Sequence, residues 1–540
     1  MNKGAHFYYE ALCKELVNYL KSQYLGRSEV LLEACKPLLD DKKGGLYSEP
    51  YIESSQAYVT IENGIAVSGL PSYLVSFFNK MIDARLGVYK TPFEHQIDAL
   101  KQAWQGDDIF VSTGTGSGKT ECFMWPILAK LTKEAKEKSD SWQNLRGVRV
   151  VIMYPMNALV SDQISRLRCL LGDREGKFVQ AFRDAAGYTA RRPQFGMYTG
   201  RTPYAGPEPQ KSQDVKLAKS LERILARDDE DTYFKQLLTS GKIPAKQNLR
   251  AFIENIRKSI HIPDPEDAEM VTRFEMQHTC PDILITNYSM MEYMLLRPRE
   301  NNIWQKTKEW LKNNPEEKLL FVIDEAHMYR GSAGGEVALL LRRLFYKLGI
   351  SRKRVQFILT TASMPQKTEE DKLAVDKFTQ SLTASENSKF TYIRGKIDTP
   401  KKVGNFDISA DILEKIKIGA LENNENTRLE ELNRFCSSIT GVPTKWNSLS
   451  VVYQWLYDNL SLYSPFNELF KECRGKAVSI FNLAKRIFPK TKESVALAAI
   501  DAMLTIAPMA KDKSGSVLFP ARMHMLFRGF SGVYACSNPD

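Results

Sequence analysis

The sequence predicts an α/β domain built on a parallel β-sheet, flanked by helical N-terminal and C-terminal regions. Three observations predict it. From Thr91 onward, short apolar, β-branched runs alternate with helical stretches, the pattern of a parallel sheet with crossover helices. Several of these runs are continuously apolar rather than alternating, as strands buried on both faces require. The residues able to do chemistry fall at the ends of those runs, where open α/β sheets bind ligands.

The elements follow in order. Residues 8–25 carry Leu12, Leu16 and Leu20 at helical spacing, and residues 29–39 predict a second packing helix. Gly44, Gly45 and Pro50 then break the pattern, and the N-terminal helical region is taken as 1–80. The α/β domain is taken as 81–400, with strands at 109–112, 148–154, 195–199, 283–286, 319–324 and 355–361 and helices at 118–136 and 157–171. Within it, residues 203–279 are rich in Lys, Glu, Asp and Gln and read as an inserted helical element with a solvated surface. A helical domain is expected over 401–520, with helices at 408–418, 429–439, 451–460 and 494–506.

Composition bounds the function. The chain has 540 residues, 43% of them hydrophobic, which suits about three to four domains and argues against global disorder. Net charge is +11, from 75 basic and 64 acidic residues. That suits a polyanionic partner, and a solvated basic surface fits it equally well. Eight cysteines include no Cys-x-x-Cys pair, so neither a disulfide framework nor a complete zinc site is written, and a reducing cytoplasm is expected. The N-terminus has no apolar signal core and no run of about 18 apolar residues occurs, so no membrane span is expected.

The sharpest chemistry lies in Ser112-Thr113-Gly114-Thr115-Gly116-Ser117-Gly118-Lys119-Thr120, a glycine-rich loop between a strand and a helix. Its glycines let backbone N–H groups approach phosphate oxygens, and the helix N-terminus favours an anion there. Thr115, Gly116, Ser117 and Gly118 would cradle the phosphates of ATP, Lys119 would reach the β/γ-phosphates, and Thr120 would ligate magnesium. One position departs from the strict phosphate-loop pattern, which begins with Gly where this chain has Thr113. Far downstream, the apolar run 319–323 delivers Asp324-Glu325-Ala326-His327 to a strand end. Asp324 is the expected magnesium-side carboxylate, and Glu325 the expected base that orients the attacking water. With Lys119, these two form the expected catalytic set. No second carboxylate cluster suggests a metallonuclease.

Together these motifs resemble a superfamily 2 helicase of the DEAD/DEAH-box type, whose motor domain is RecA-like. Thr91-Pro92-Phe93-Glu94-His95-Gln96 resembles the element that precedes the phosphate loop, with Gln96 as adenine reader. Tyr154-Pro155-Met156-Asn157-Ala158-Leu159 with Asp162-Gln163, then Tyr198-Thr199-Gly200-Arg201-Thr202 and Thr286-Asn287-Tyr288, resemble the elements that grip a nucleic-acid backbone. The resemblance therefore implies nucleic-acid contacts from Tyr154, Pro155, Asn157, Arg201, Thr286 and Asn287. Taken singly, Asn157 also suits a helix cap and Tyr154 a packing position. Thr361-Ala362-Ser363 stands where the family has Ser-Ala-Thr, which implies that His327, Thr361 and Ser363 couple the ATP state to nucleic acid.

A narrower resemblance covers about 46–365. Residues 324–344, DEAHMYRGSAGGEVALLLRRL, with 281–290 and 46–53, are similar to the branch of YprA-like and MrfA-like helicases and to the long helicases of bacterial antiphage systems of the DISARM and Druantia types. This implies an ATP- and Mg2+-dependent helicase or translocase acting on DNA rather than RNA, in defence or DNA repair. An RNA helicase and a nucleotide-gated binding or assembly subunit without unwinding activity stay open. The motifs of one motor domain are present, and no arginine-finger element is found. Residues 521–540 resemble the start of a zinc-ribbon region, with Cys536 as a first zinc ligand; a lone buried cysteine fits as well. The expectation is an N-terminal portion, or one half, of a motor whose second RecA-like segment and fellow defence proteins would be partners. Such a portion alone would hydrolyse ATP weakly.

Overall fold

The computed structural model describes residues 4–25, 28–39, 46–54, 58–114, 116–225, 232–362, 368–385, 389–396, 403–513, 515 and 517–527. The chain divides into two compact units, one formed by 59–396 and the other by 1–58 together with 397–540. The boundary expected between 80 and 81 therefore falls inside the larger unit, within the helix Ser72–Asp83. The N-terminal and C-terminal helical regions share one unit. Pairing between segments more than 400 residues apart joins them, and no local sequence pattern encodes such a pairing.

The larger unit is an eight-stranded sheet with every neighbouring pair parallel. In chain order the strands are β1 (Asp108–Ser112), β2 (Val150–Tyr154), β3 (Phe195–Tyr198), β4 (Glu269–Met270), β5 (Ile283–Asn287), β6 (Leu319–Ile323), β7 (Val355–Thr361) and β8 (Phe390–Arg394). They lie in the order β4-β3-β5-β2-β6-β7-β1-β8. This is the α/β parallel-sheet arrangement expected, and all six strands expected from the sequence are present. Alternate residues of each strand feed two cores. Ile109, Val111, Val150, Ile152 and Val322 pack on one face with the helices Glu94–Trp104 and Glu121–Glu137. Phe110, Val151, Met153, Phe321 and Ile323 pack on the other with Tyr288–Leu296, Asn301–Asn313 and Ser332–Leu348. Burying each large side chain contributes about 1.5–3 kcal/mol, so continuous apolar strands are self-consistent only between two helical layers.

The polar stretch read as an insertion over 203–279 is a correction. Its last part belongs to the sheet, because β4 pairs with β3 (Phe195 with Glu269, Gly196 with Met270). Composition misled in this last part because several of its charges are buried in pairs, although the described charges of 211–258 other than Asp214 and Lys246 are mostly exposed. Arg168 grips Glu269 with two bonds of 2.7 Å, and Lys246 reaches Asp267 at 2.9 Å and also Glu275. Polar composition looks solvated until tertiary contacts supply its counterions.

A second buried network lies at the N-terminal ends of the strands. Arg191 donates to both oxygens of Asp282 at 2.7 Å, and Arg149 donates to Glu134 at 3.0 and 3.1 Å. The Arg149 guanidinium lies 4.8 Å from the Trp310 ring and 5.3 Å from that of Trp142. Burial pushes the Asp282 carboxyl up, but Arg191, Arg149 and Arg146 more than offset it and hold it at about 2. Removing one member of such a pair leaves an uncompensated buried charge, a loss of about 3–5 kcal/mol. Arg191→Met is therefore expected to lower unfolding free energy by about that amount, measured by urea denaturation at neutral pH. Because the folded pKa is depressed, the stabilisation is fully present above the unfolded value of about 3.9. In the native protein it is lost as pH falls from about 4 through about 2; the variant, which lacks Arg191, should show a smaller loss over that range.

In the smaller unit, Tyr51–Ser54 is the central strand of a three-stranded antiparallel sheet, between Val478–Ser479 and Ala521–His524. Helices Glu425–Thr440, Leu449–Asn459, Ser464–Cys473, Ile480–Ile487 and Glu493–Ile506 enclose its core. Among the described residues, no helix is long and apolar enough to cross a membrane.

Candidate nucleotide site and nucleic-acid face

Because the strands of the larger unit are parallel, the loops leaving them converge on one sheet edge. Strands β1 and β7 run in register with Ser112 opposite Thr361, and β6 lies against β7 on its other side. The loops after β1 and β6 therefore leave the same edge on either side of β7. Thr113 N–H donates to Thr361 O at 3.2 Å, and the Thr113 and Ser117 hydroxyls are 2.6 Å apart inside the loop. Gly116 and Gly118 take φ of 78° and 70°. Conformation favours glycine at 118, and a Cβ there would lie 2.2 Å from Gln96 Nε2 and displace the end of that side chain from the loop.

Lys119, Asp324 and Glu325 meet at this edge. Lys119 Nζ is 3.3 Å from Thr113 O, to which it donates, and 3.7 Å from Glu325 Oε1. Asp324 is buried, and its Oδ1 accepts from the Glu325 N–H at 3.0 Å and from the Thr360 hydroxyl. Burial lowers the Lys119 pKa and raises that of Asp324, outweighing the opposing interactions at each. An anion beside Lys119 would restore its charge, and a cation beside Asp324 would do the same there. Glu325 sits at φ 49° and ψ 48°, a left-handed conformation uncommon outside glycine and found disproportionately at functional sites. Its Oε2 is buried with no hydrogen-bonding partner among the described residues, 3.2 Å from His327 Nδ1. Buried acceptors of this kind fit a role in holding a water or ligand. His327 Nδ1 also lies 3.1 Å from Thr361 Oγ1, which links the acidic loop to the end of β7.

Gln96 lies beneath the phosphate loop. Its Oε1 accepts from Phe93 N–H at 3.0 Å, and its Nε2 donates to Gly118 O at 3.1 Å. Tyr89, Thr91, Phe93, Gln96, Gly118 and Thr120 line a cavity of about 750 Å³ that continues toward the helix Asn157–Leu170. Gln163 Nε2 donates to Thr120 Oγ1 at 3.4 Å. Lys119, Asp324 and Glu325 are not among the residues lining that cavity; a cation and two carboxylates at the sheet edge fit a polyphosphate ester and a divalent metal. Thr115 and Ser363 lie outside the described residues. Cys536 does too, and among the described residues no cluster of three or more His, Cys, Asp or Glu is arranged to hold a metal.

The expected nucleic-acid residues divide. Asn157 and Asn287, at the ends of adjacent strands, are joined by a 2.6 Å bond from Asn287 Nδ2 to Asn157 Oδ1, and both are half-buried. Asn287 also caps its helix by accepting from Met290 N–H at 2.8 Å. Pro155 is half-buried and Arg201 is exposed. Tyr154 and Thr286 are corrected: both side chains are fully buried. Tyr154 packs in the core, and Thr286 donates to Tyr198 O at 2.8 Å, so neither side chain reaches a ligand surface. Tyr154 is the last residue of β2 and Thr286 the next-to-last of β5, and both side chains face a helical layer rather than solvent.

Sequence reasoning missed two supporting residues. His95 Nε2 is 2.8 Å from Ser117 O, and Thr360 holds Asp324. His95 adjoins Gln96 and its ring stacks on Phe93 at 5.4 Å, yet it carried no signal of its own. Thr360 is one of two adjacent threonines, and only the strand register distinguishes the one that meets Asp324.

Residues 93–198 and 245–371 match the family described as DEAD/DEAH box helicase. The unmatched stretch 199–244 contains the helices Lys211–Leu225 and Thr232–Thr239, while β4 falls within the matched part. The chain is 36% identical over 572 aligned residues to the Druantia protein DruE of Escherichia coli (strain UMEA 4076-1), covering 99% of this chain and 30% of that protein. It is 23% identical over 350 residues to an uncharacterized ATP-dependent helicase of Methanocaldococcus jannaschii, covering 65% of this chain and 36% of the relative. A solved structure of the DUF1998 helicase MrfA bound to DNA is similar at a TM-score of 0.35 and 15% identity, over 77% of this chain and 44% of that one. The chain spans about a third of the length of the two curated relatives.

Proposed function

The chain carries a DEAD/DEAH box helicase domain, and from that premise we propose that it is a motor segment of an ATP-dependent DNA helicase or translocase in a cytoplasmic bacterial defence system. The observation that carries the reading is the convergence of Lys119, Asp324 and Glu325 on one sheet edge, with the His327–Thr361 contact behind them. The phosphate loop binds the β- and γ-phosphates through its backbone N–H groups and Lys119. Thr120 and Asp324 would hold magnesium, which supplies charge neutralisation at the phosphate oxygens when bound. Glu325 Oε2 accepts a hydrogen bond from the attacking water and orients it. Gln96 senses the base side of the nucleotide from its position against Gly118. A change at Glu325 is passed through His327 to Thr361. On the same sheet edge, Asn157, Asn287, Pro155 and Arg201 offer a backbone grip, which carries little sequence information.

The defence assignment draws on the identity to the Druantia protein DruE along nearly the whole chain. DNA is preferred over RNA on the same resemblance. The test is ATP turnover by the whole protein with DNA or RNA added. Stimulation by DNA above that by RNA is expected. Stimulation by RNA alone would transfer the reading to an RNA helicase. Nucleotide-dependent DNA binding with no stimulation and no strand displacement would identify a gated binding subunit instead.

A further inference from the structure

The smaller unit contains an arrangement that the motor motifs do not use. The helix Ser464–Cys473 leads through a turn into the strand Val478–Ser479, then the helix Ile480–Ile487, a turn at 488–492 and the helix Glu493–Ile506. The last two helices pack on each other as a helix–turn–helix pair, and the first of them also contacts the strand Val478–Ser479 of the three-stranded sheet. In nucleic-acid-binding pairs of this kind the second helix enters the major groove. Here it is covered. Ala496, Leu497, Ile500, Met503 and Ile506 are core residues, and His6 N–H, on the N-terminal helix Ala5–Leu20, donates to Asp501 Oδ1 at 2.9 Å. Beyond its exposed first turn, Glu493 and Ser494, that helix cannot reach base edges.

The turns around it are strongly basic. From 469 to 492 there are seven Lys or Arg and one acid, a net +6, whereas 405–468 has five Lys or Arg and nine acids, a net −4. Lys471, Arg474 and Lys476 surround the first turn, Lys485 and Arg486 end the middle helix, and Lys490 and Lys492 occupy the second turn. All are exposed. Glu472, the one acid of this stretch, accepts from Lys476 at 3.3 Å and also from Arg486, which ties the first turn to the end of the middle helix, two residues before the second turn begins. Cations at helix C-termini are stabilised by the helix dipole, which accounts for Lys471, Lys485 and Arg486. It does not account for the four cations in the turns. Glu493 follows the second turn and, of these cations, only Lys476 and Arg486 pair with Glu472, so a net excess of like charge stays on this surface, and a polyanion relieves the repulsion.

We propose that this basic corner is a second, sequence-independent nucleic-acid site that holds backbone phosphates. It rests on the reading that the chain acts on nucleic acid. The geometry fits phosphate contacts without base contacts, the mode in which affinity depends steeply on salt.

The test is fluorescence anisotropy of a labelled mixed-sequence DNA duplex, and of its single strand, with the full chain across a salt series. Lys490→Ala/Lys492→Ala and Lys485→Glu/Arg486→Glu are compared with the parent and with Arg201→Ala. Thermal unfolding and binding of a fluorescent ATP analogue report the fold of each variant. The alanine pair is expected to weaken binding on the order of tenfold at low salt and to flatten the slope of log affinity against log salt by about 1.8, or two phosphate contacts. ATP affinity should not change, and the loss should be the same with and without nucleotide. Unchanged affinity and slope in stably folded variants would overturn the proposal, and weakening by Arg201→Ala in the same experiment would leave the motor reading standing. Loss of DNA binding in the corner variants, with no effect of DNA on ATP turnover by the parent, would support the site and count against the motor. Variants that lost binding to polyglutamate but kept their DNA affinity would also overturn it, in favour of an acidic protein partner.

Discussion

Glu325→Gln is expected to slow ATP hydrolysis by the whole protein by about 10²–10⁴-fold, the range for loss of a positioned general base. Nucleotide affinity should stay within a few-fold. The substitution keeps size and shape, so the left-handed backbone at this position, φ 49°, is no more strained than before. What it removes is the negative charge that faces Lys119 at 3.7 Å and His327 at 3.2 Å. A pre-steady-state measurement separates the two effects: binding of labelled ATP proceeds, and phosphate release stalls. Full turnover in this variant would remove Glu325 from the catalytic role and leave the acidic loop as a metal-holding element.

Lys119→Ala should weaken ATP binding by about 2–5 kcal/mol, the usual loss when one partner of a buried, hydrogen-bonded charge pair is truncated. At 1.4 kcal/mol per tenfold, that is roughly 30-fold to several thousand-fold in Kd. The amine is largely buried and satisfied internally by Thr113 O and Glu325, and burial lowers its pKa. Bound phosphate would exchange those contacts for stronger charge-assisted ones and raise the pKa again. Calorimetric titration with ATP and with ADP tests this directly. A loss confined to ATP would put Lys119 at the γ-phosphate, and an equal loss for both would put it at the β-phosphate. Unchanged affinity for both nucleotides would remove the loop from the binding site.

Nearly all of the sheet was legible because its strands are buried on both faces. Val150–Tyr154 and Leu319–Ile323 are apolar throughout and Val355–Thr361 has an apolar centre, and such runs have few alternatives between glycine-rich and polar turns. The two strands that escaped notice are of another kind. Glu269–Met270 has two residues, and Phe390–Arg394 is an edge strand with a mixed pattern. Short or edge strands are specified by their partners more than by their own side chains.

The site was legible to a similar depth. Gly116, Gly118, Lys119, Asp324 and Glu325 announce themselves because phosphate and metal chemistry restricts the residue types at those positions. Their meeting at one sheet edge follows from parallel strands. Side-chain direction at the strand ends was not legible. Tyr154 and Asn157 are three residues apart in one motif, yet one is fully buried and the other half-buried.

By itself, then, the sequence determined the sheet, the phosphate loop, the acidic pair and the order of motifs between them, because each is set by local periodicity or by residue type. Tertiary structure alone decided that residues near the N-terminus close a sheet with strands near position 480 and position 521. It also decided that Lys246, Asp267, Glu275 and Asp282 are buried with counterions, and that Thr360 rather than Thr361 holds Asp324. Each of these depends on which groups share a space, and sequence periodicity reports only which face of its own element a residue occupies.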